Sequence, residues 1–274
     1  MTFSNAAAEM EPALRALWQR VFGDSSEYLD LFFHNCFDPA ETMTASEEGV
    51  PLSVLYLLPM TVCAGEKEYD ARYVYAVATA PEARSKGLSG RLLFETHRVL
   101  KERGISLSLL VPAEESLFGY YAARGYETSF YRREIVWHRT QGPTVPLCSA
   151  SLPQLKQLRD SFFGRAGLFG MYDEKALLYR EKENRFLKGE TLSFSLDGVP
   201  GYAVCTPAED FVLIRELAAP CDERVLRSAA LYFKKNSVRV CLDGEIGDIP
   251  MAMTCWYVKK PDEKGKTSLS LVLD

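Results

Sequence analysis

The chain has 274 residues, of which 47% are hydrophobic and 25% are charged, as is usual for a globular protein with a sizeable core. Its formal net charge of -5 gives no sign of the basic surface that nucleic-acid binding requires. The apolar run 50–64 is too short to span a membrane, and the first residues lack the basic and apolar regions of a signal peptide. We therefore expect a cytoplasmic protein that binds neither nucleic acids nor membranes.

The helices and strands expected in the first half come from apolar periodicity and from turn residues. Helices are predicted at 12–22, from a cap at Ser25 onward, at 88–103 and at 114–124. Strands are predicted at 42–46, 52–62, 72–79, 105–111 and 126–138. A mixture of helices and strands in this order indicates an α/β protein.

A Gly-, Pro- and Ser-rich stretch at 139–150 predicts a linker between two domains. We therefore expect one domain at 1–140 and another at 141–274. The second half opens with the helical patterns 152–163 and 174–187. Two strand-like segments, 191–196 and 201–205, follow these helices.

The two halves share short matching segments. EGVP at 48–51 is matched by DGVP at 197–200, and both lie between strand-like segments that follow two helices. VATAPEARSKGLSGRLLF at 77–94 also aligns without a gap on ELAAPCDERVLRSAALYF at 216–233. The matches and the shared order of elements predict a tandem repeat.

The seven cysteines predict neither a zinc site nor a disulfide framework. No C-x-x-C pair occurs, and the three histidines do not cluster with the cysteines. Because the number is odd and most cysteines lie in apolar runs, we expect buried thiols in a reducing compartment. We expect no bound metal.

The segment ARSKGLSGR at 83–91 joins a predicted strand to a predicted helix. It lacks the ending of a nucleotide P-loop and the G-x-G of a dinucleotide-binding loop. A helix start nevertheless offers backbone N–H groups to an anion, Gly87 permits close approach, and Arg84 and Lys86 add positive charge. The pattern alone leaves two alternatives open, a phosphate-binding loop and an ordinary capped helix start.

Two motifs together resemble the GNAT superfamily of N-acetyltransferases. The first is the R-x-x-G pattern of Arg84 and Gly87 after a strand, which is similar to the family's pyrophosphate loop. The second is YYAARGY, which supplies Tyr121, Gly125 and Tyr126 of the family's tyrosine-glycine signature. The resemblance covers the first half in the family's order of elements.

The branch that the chain most resembles is the bacterial Eis (enhanced intracellular survival) group, without its sterol-carrier-like domain. The resemblance implies an α/β (α+β) tandem GNAT fold with a mixed central sheet and flanking helices. Its second half would be a degenerate GNAT-like domain, because Glu223 and Leu226 stand where Arg84 and Gly87 stand in the first. The chain departs mildly from the family at Ser89, where Gly or Ala is usual.

The resemblance also implies a site for the co-substrate acetyl-CoA between two parallel strands. The implied contacts are Val77, Ala78 and Thr79 for the pantetheine arm, Arg84, Ser85, Lys86, Gly87, Leu88, Ser89 and Gly90 for the pyrophosphate, and Ser116 near the end of the arm. The implied reaction is attack of an amine on the thioester.

Candidate catalytic groups follow from that reaction. Spacing to Gly125 selects Tyr121, rather than Tyr120, as the acid that protonates the departing thiolate. Tyr120 is better explained by core packing. The candidate bases are Glu114, which is also an ordinary helix-start carboxylate, and Asp274, at the end of an apolar strand.

The resulting prediction is an acetyl-CoA-dependent N-acetyltransferase that modifies a primary amine of an unidentified small molecule or peptide. The alternative is a non-catalytic acyl-CoA-binding or interaction protein on the same scaffold. A homo-oligomer is compatible with either.

Overall fold

The computed structural model describes residues 1–164, 167–262 and 265–273 and shows an α/β protein. The helices are α1 (Glu11–Phe22), α2 (Ser26–Cys36), α3 (Leu88–Glu102), α4 (Ser116–Ala122), α5 (Leu152–Phe163), α6 (Glu174–Phe186) and α7 (Glu223–Tyr232). The strands are β1 (Thr2–Asn5), β2 (Thr42–Glu47), β3 (Val50–Ala64), β4 (Lys67–Thr79), β5 (Leu107–Leu110), β6 (Glu127–His138), β7 (Cys148–Ser149), β8 (Leu168–Met171), β9 (Glu190–Leu196), β10 (Val199–Pro207), β11 (Phe211–Ala218), β12 (Ser237–Asp243), β13 (Ile249–Trp256) and β14 (Thr267–Ser268). Among the described helices, none is long and apolar enough to cross a membrane.

The chain folds into two compact units. Unit 1 consists of Met1–Thr61, Tyr69–Thr128 and Ala252–Pro261, and unit 2 consists of Val62–Glu68, Ser129–Met251 and Asp262–Asp274. The domain boundary predicted at residue 140 stays a prediction. The stretch 139–150, expected as a linker, lies within unit 2, where the buried Val145 donates its backbone N–H to Ser228 Oγ over 2.9 Å.

Unit 1 contains a mixed sheet with the strand order β1-β2-β3-β4-β5-β13. Strands β4 and β5 pair in parallel, whereas β1 with β2, β2 with β3, and β5 with β13 pair antiparallel. The apolar face of α3 supplies Leu92 and Leu100 to a core that includes Leu55 of β3, Val74 of β4 and Tyr121 of α4. This packing fixes α3 and α4 against the sheet.

Unit 2 contains the strand order β6-β12-β11-β10-β9-β7. Strands β11 and β12 pair in parallel, and the other pairs in this series are antiparallel. Its core packs Val225 and Leu226 of α7 against Ile214 of β11 and Val240 of β12.

The order of elements repeats between the units. In unit 1, the series β2-β3-β4-α3-β5 follows two helices, and in unit 2 the series β9-β10-β11-α7-β12 follows α5 and α6. In both, the strand before the helix pairs in parallel with the strand after it. The repeat predicted from sequence is therefore present in the arrangement of the elements.

The prediction of buried thiols is largely wrong. Cys205 is buried, but Cys148 and Cys221 are exposed, and the other four cysteines are half-buried. An apolar run in sequence does not identify which face of its strand a side chain occupies, and these cysteines mostly lie near edges or turns.

Candidate functional site

The candidate site begins where strands β4 and β5 separate. Their parallel register runs from the pair Ala71 and Leu107 to the pair Tyr73 and Leu109. Strand β4 nevertheless continues to Thr79. The last part of β4 therefore presents backbone groups that β5 does not use, as an extended ligand would require.

The direction of these backbone groups alternates along β4. The carbonyl of Ala78 accepts a hydrogen bond from Ser53 Oγ, on the β3 side, over 2.8 Å. Because neighbouring residues of a strand direct their backbone groups to opposite edges, Val77 and Thr79 direct theirs toward the opening. The geometry thus favours Val77 and Thr79 over Ala78 as backbone partners of a ligand.

Ala76 interrupts the regular alternation of β4. Its φ of 49° lies in the left-handed region, which costs a non-glycine residue about 1–2 kcal/mol. Such a residue inside a strand changes the direction of the backbone locally. Strained backbone of this kind often occurs at binding sites, and here it lies beside the opening.

The loop after β4 is shaped by two left-handed residues, Ser85 with φ of 60° and Gly87 with φ of 73°. Arg84 is fixed at the strand end, since its Nε donates to the Thr79 carbonyl over 3.2 Å. Residues 84–87 are exposed, and 88–90 are half-buried. Nothing in the described structure lies within 4 Å of where a Cβ of Gly87 would stand, so the space in front of the loop is open.

The start of α3 has no side-chain cap among the described residues. Gly87 is its N-cap residue and has no side chain to accept a bond. The hydroxyl of Ser89, in the first turn, lies 2.6 Å from the Tyr120 hydroxyl. The first-turn N–H groups are therefore left for another acceptor, which suits an anion better than the alternative of an ordinary capped helix.

Tyr121 lies on α4 with its ring packed against Tyr120 and Tyr126, at centroid distances of 5.2 Å and 5.9 Å. It is 8% exposed, and burial raises its pKa to about 12. Within the described parts of the chain, no partner for its hydroxyl is found. A protonated phenol with an unused donor is thus available beside this core.

Comparison with known proteins identifies the first half. Residues 2–129 match the family model described as Acetyltransferase (GNAT) domain. This part of the chain is thus similar to the acetyltransferase domain of the GNAT superfamily. No curated protein gives a significant match to the chain.

Solved structures share the fold over most of the chain. A GCN5-related N-acetyltransferase from Anabaena variabilis is 17% identical with a TM-score of 0.72, and the match covers 92% of this chain and 72% of that one. A conserved protein from Enterococcus faecalis, described as a probable N-acyltransferase, is 16% identical with a TM-score of 0.71 and the same coverage. Eis1 from Mycobacterium abscessus is 13% identical with a TM-score of 0.62, over 91% of this chain and 66% of that one. These likenesses confirm the predicted α/β GNAT fold.

Arg124 lies beside the start of α3 and was not singled out from the sequence. Its guanidinium lies 3.4 Å from the centre of the Tyr120 ring, and its Nη1 donates to the Tyr120 carbonyl over 2.6 Å. A Cβ on Gly90 would lie 2.9 Å from Arg124 Nε, so Gly90 makes room for this guanidinium. The sequence signal that could have identified Arg124 is a basic residue directly before Gly125.

The candidate bases have a weaker structural setting. Glu114 is exposed, and its Oε1 accepts a hydrogen bond from Ser116 Oγ over 2.8 Å. Ser116 begins α4 and is also exposed. Asp274 lies outside the described residues.

The corresponding helix start in unit 2 is closed by its own carboxylate. Asp222 is the N-cap residue of α7, and its Oδ1 accepts from the Arg224 N–H over 2.8 Å. Arg224 also holds Asp197 through two contacts of 2.8 Å. Hydrogen bonds from Arg224 lower the pKa of Asp222. In unit 2 the N-terminus of the helix is thus satisfied from within the chain.

Proposed function

We propose that this protein transfers the acetyl group of acetyl-CoA to a primary amine of a small molecule or peptide. The observation that carries the proposal is the uncapped start of α3 beside the part of β4 that β5 does not pair. Acetyl-CoA supplies the acetyl group as a reactive thioester. The residues of the chain then have three tasks, which are to hold the anion, to align the arm and to move protons.

The anion is held by residues 84–90. The N–H groups at the start of α3 point toward it, and the helix dipole adds partial positive charge. Arg84 is anchored to the Thr79 carbonyl through Nε, so its terminal nitrogens remain for the phosphates. Lys86 is exposed and adds a further positive charge.

The pantetheine arm lies along the free edge of β4. The backbone groups of Val77 and the N–H of Thr79 bond it as an additional strand would be bonded, since the Thr79 carbonyl holds Arg84. Ala78 supports this edge from the other side, because its carbonyl is held by Ser53. Ser116 at the start of α4 lies near the end of the arm in this proposal.

Tyr121 donates a proton to the sulfur as the thioester bond breaks. Its pKa of about 12 keeps the phenol protonated throughout the neutral range. The thiolate would ordinarily have a pKa of about 8.5, and burial beside the same aromatic rings raises it as burial raises that of Tyr121. A parallel rise of both pKa values keeps the difference in proton affinity between the phenol and the thiol near its value in water.

A second candidate is a protein that binds acyl-CoA without transferring the acyl group. The placement of the carboxylates favours it, because Glu114 is exposed and held by Ser116 rather than enclosed beside Tyr121. In the first proposal, Glu114 accepts the proton of the incoming ammonium through water.

One experiment separates the two candidates. The purified protein is given acetyl-CoA with polyamines, aminoglycosides or lysine-containing peptides, and release of the free thiol is followed over time. Amine-dependent thiol release that falls in a Tyr121→Phe variant supports acetyl transfer. Coenzyme binding without acetylation of any amine supports the second candidate, and absence of coenzyme binding contradicts both.

A further inference from the structure

Unit 2 contains a cavity of about 300 Å³ between the separating ends of two parallel strands. Strands β11 and β12 are paired as far as Ile214 and Val240, but β11 continues to Ala218 and β12 to Asp243. Both continuing ends line the cavity. A volume of this size is within the range of small-molecule sites.

One wall of the cavity is formed by residues 269–272, near the end of the chain. Three successive carbonyls of this segment accept hydrogen bonds from side chains of unit 2. The bonds are Tyr172 Oη to the Ser270 carbonyl at 3.0 Å, Arg180 Nε to the Leu271 carbonyl at 2.8 Å and Arg215 Nη2 to the Val272 carbonyl at 2.8 Å. Because these bonds hold the backbone itself, the wall is formed before any ligand arrives.

The lining is apolar on several sides. The apolar residues that line it include Phe162, Leu217, Leu242, Met251, Leu269 and Leu271. These side chains come from α5, β11, β12, β13 and the segment 269–272, so they surround the space rather than form one flat patch. A ligand must therefore present an apolar body.

The charged groups of the lining are mainly positive among the described residues. Glu216 is buried and is matched by the buried Arg159, whose Nε lies 3.0 Å from its Oε2. Arg132 is paired with Glu134 at 2.9 Å. Asp243 is the other acidic group of the lining.

Two cations of the lining can still meet a ligand. Arg133 donates through Nε to the Asp243 carbonyl over 3.3 Å and is otherwise exposed. Lys266 is exposed, and its Nζ makes no hydrogen bond or close ion pair in the described part of the chain. Its charge acts on the lining carboxyl of Asp243, whose pKa is raised to about 6 by burial and lowered in part by Lys266. An apolar body that carries a negative charge satisfies both the walls and these two cations.

We propose that the cavity of unit 2 binds a small organic anion with an apolar body, the simplest form of which is a medium-chain carboxylate. This site is independent of the coenzyme site of unit 1. The residues that recognise the charge are Arg133 and Lys266, and the walls of β11, β12 and the segment 269–272 enclose the body.

Calorimetric titration of the whole protein with octanoate, octylammonium and octanol tests the proposal. The three probes share an apolar chain and differ in charge. Octanoate should bind at one site at least tenfold more tightly than either other probe, a difference of about 1.4 kcal/mol or more. Absence of octanoate binding, or equal affinity for all three probes, overturns the proposal.

Variants locate the charge recognition. Combined Arg133→Ala and Lys266→Ala substitutions should weaken octanoate binding at least tenfold and leave octanol unchanged. Lys175→Ala on α6 is the matched control, because Lys175 is exposed and does not line the cavity. Unchanged octanoate affinity in the double variant, or an equal loss in the control, overturns the assignment.

Cysteine labelling locates the body of the probe. Cys221 lines the cavity and is exposed, whereas Cys148 is exposed elsewhere in unit 2. Octanoate should slow alkylation of Cys221 by iodoacetamide and leave Cys148 unaffected, with or without coenzyme A present. If octanoate binds but labelling of Cys221 does not change, the ligand lies elsewhere and the proposal is overturned. Displacement of octanoate by coenzyme A overturns it as well.

Discussion

The helices α3 and α7 differ in how the backbone N–H groups of their first turns are satisfied. Each helix connects two strands that pair in parallel, and each begins with backbone N–H groups that need acceptors. In α7, Asp222 supplies the acceptor, and in α3 the N-cap position is Gly87, which has none. The difference shows that this strand-helix unit folds with or without an internal cap, and that the first-turn N–H groups of α3 have no side-chain cap among the described residues.

The two starts also differ in the chain that leads to them. Helix α7 begins at Glu223, which aligns with Arg84 in the gapless overlay, so the residues that align with the loop 84–87 form its first turn. In unit 1 these residues instead form a loop, in which Ser85 and Gly87 are left-handed. Unit 2 therefore has a capped first helical turn where unit 1 has this loop.

The largest effect is expected from giving α3 a carboxylate like that of α7. In Gly87→Asp, the new carboxylate occupies the open space before the helix and repels a phosphate. Coenzyme A should bind about 100-fold more weakly or worse, which corresponds to roughly 3 kcal/mol. Isothermal titration measures this loss.

The control for that variant is Gly49→Asp in the turn between β2 and β3. Gly49 has φ of 82° and open space around its Cβ position, so it matches Gly87 in conformation and in room. Both variants should lose a similar amount of thermal stability, but the control should retain coenzyme affinity. Equal coenzyme binding by both variants would refute an anion site at α3.

The next largest effect concerns the proposed proton donor, Tyr121, whose helix has no counterpart in the described stretch between β12 and β13. Tyr121→Phe removes a hydroxyl without changing the packing of the ring, and it should lower kcat about 100-fold, the usual scale of general acid catalysis. Coenzyme affinity should be nearly unchanged. Steady-state kinetics and titration give the two values separately.

Tyr120→Phe is the matched control for this substitution. It removes the hydroxyl that meets Ser89 and should change coenzyme affinity more than kcat. If both variants reduce kcat equally, Tyr121 has no special role as the acid.

A smaller effect is expected from removing the side-chain cap at the start of α7. Asp222→Ala removes the cap of α7 and should destabilise the protein by about 1 kcal/mol in chemical unfolding. Coenzyme affinity should not change. The control is Glu209→Ala, which removes an exposed carboxylate of unit 2 and should leave stability unchanged. Reduced coenzyme binding in Asp222→Ala would contradict separate roles for the starts of α3 and α7.

The smallest effect is the acid sensitivity of that cap. The pKa of Asp222 is lowered in the folded protein, so the unfolded chain takes up the proton at higher pH. The stability due to the cap is therefore present above about pH 3.8 and is lost as the pH falls through the lowered pKa. The stability difference between the wild type and Asp222→Asn should shrink between pH 5 and pH 2, and a difference that grows toward acid would contradict the cap.

Periodicity predicted several helices to within two residues at each end. Helix α5 has the predicted bounds, and α3 ends one residue before the predicted end. Strand β4 was expected to begin at residue 72 but begins at Lys67, directly after a two-residue turn from β3, its neighbour in the sheet. The short polar strand β1 carried no apolar pattern and was missed, because it forms by pairing with the distant strand β2.

A residue of the candidate site could be predicted from the sequence only where its role depends on its immediate neighbours in the chain. Gly87 was identified because a residue without a Cβ lets an anion approach the helix start, and the structure adds that it is left-handed. Arg124 was not, because the room for its guanidinium is made by Gly90 of α3, a contact that sequence spacing does not show. The gapless overlay aligned the apolar faces of the two helices but could not show that Asp222 starts α7 early.

Hydrogen exchange in the presence of coenzyme A tests the central comparison most directly. The two helix starts are followed in one sample, with the backbone N–H groups of residues 85–90 reporting on α3 and those of residues 223–226 on α7. The account predicts strong added protection at residues 85–90 and none at residues 223–226. Protection at residues 223–226, or no change at residues 85–90 when the coenzyme is bound, would contradict it.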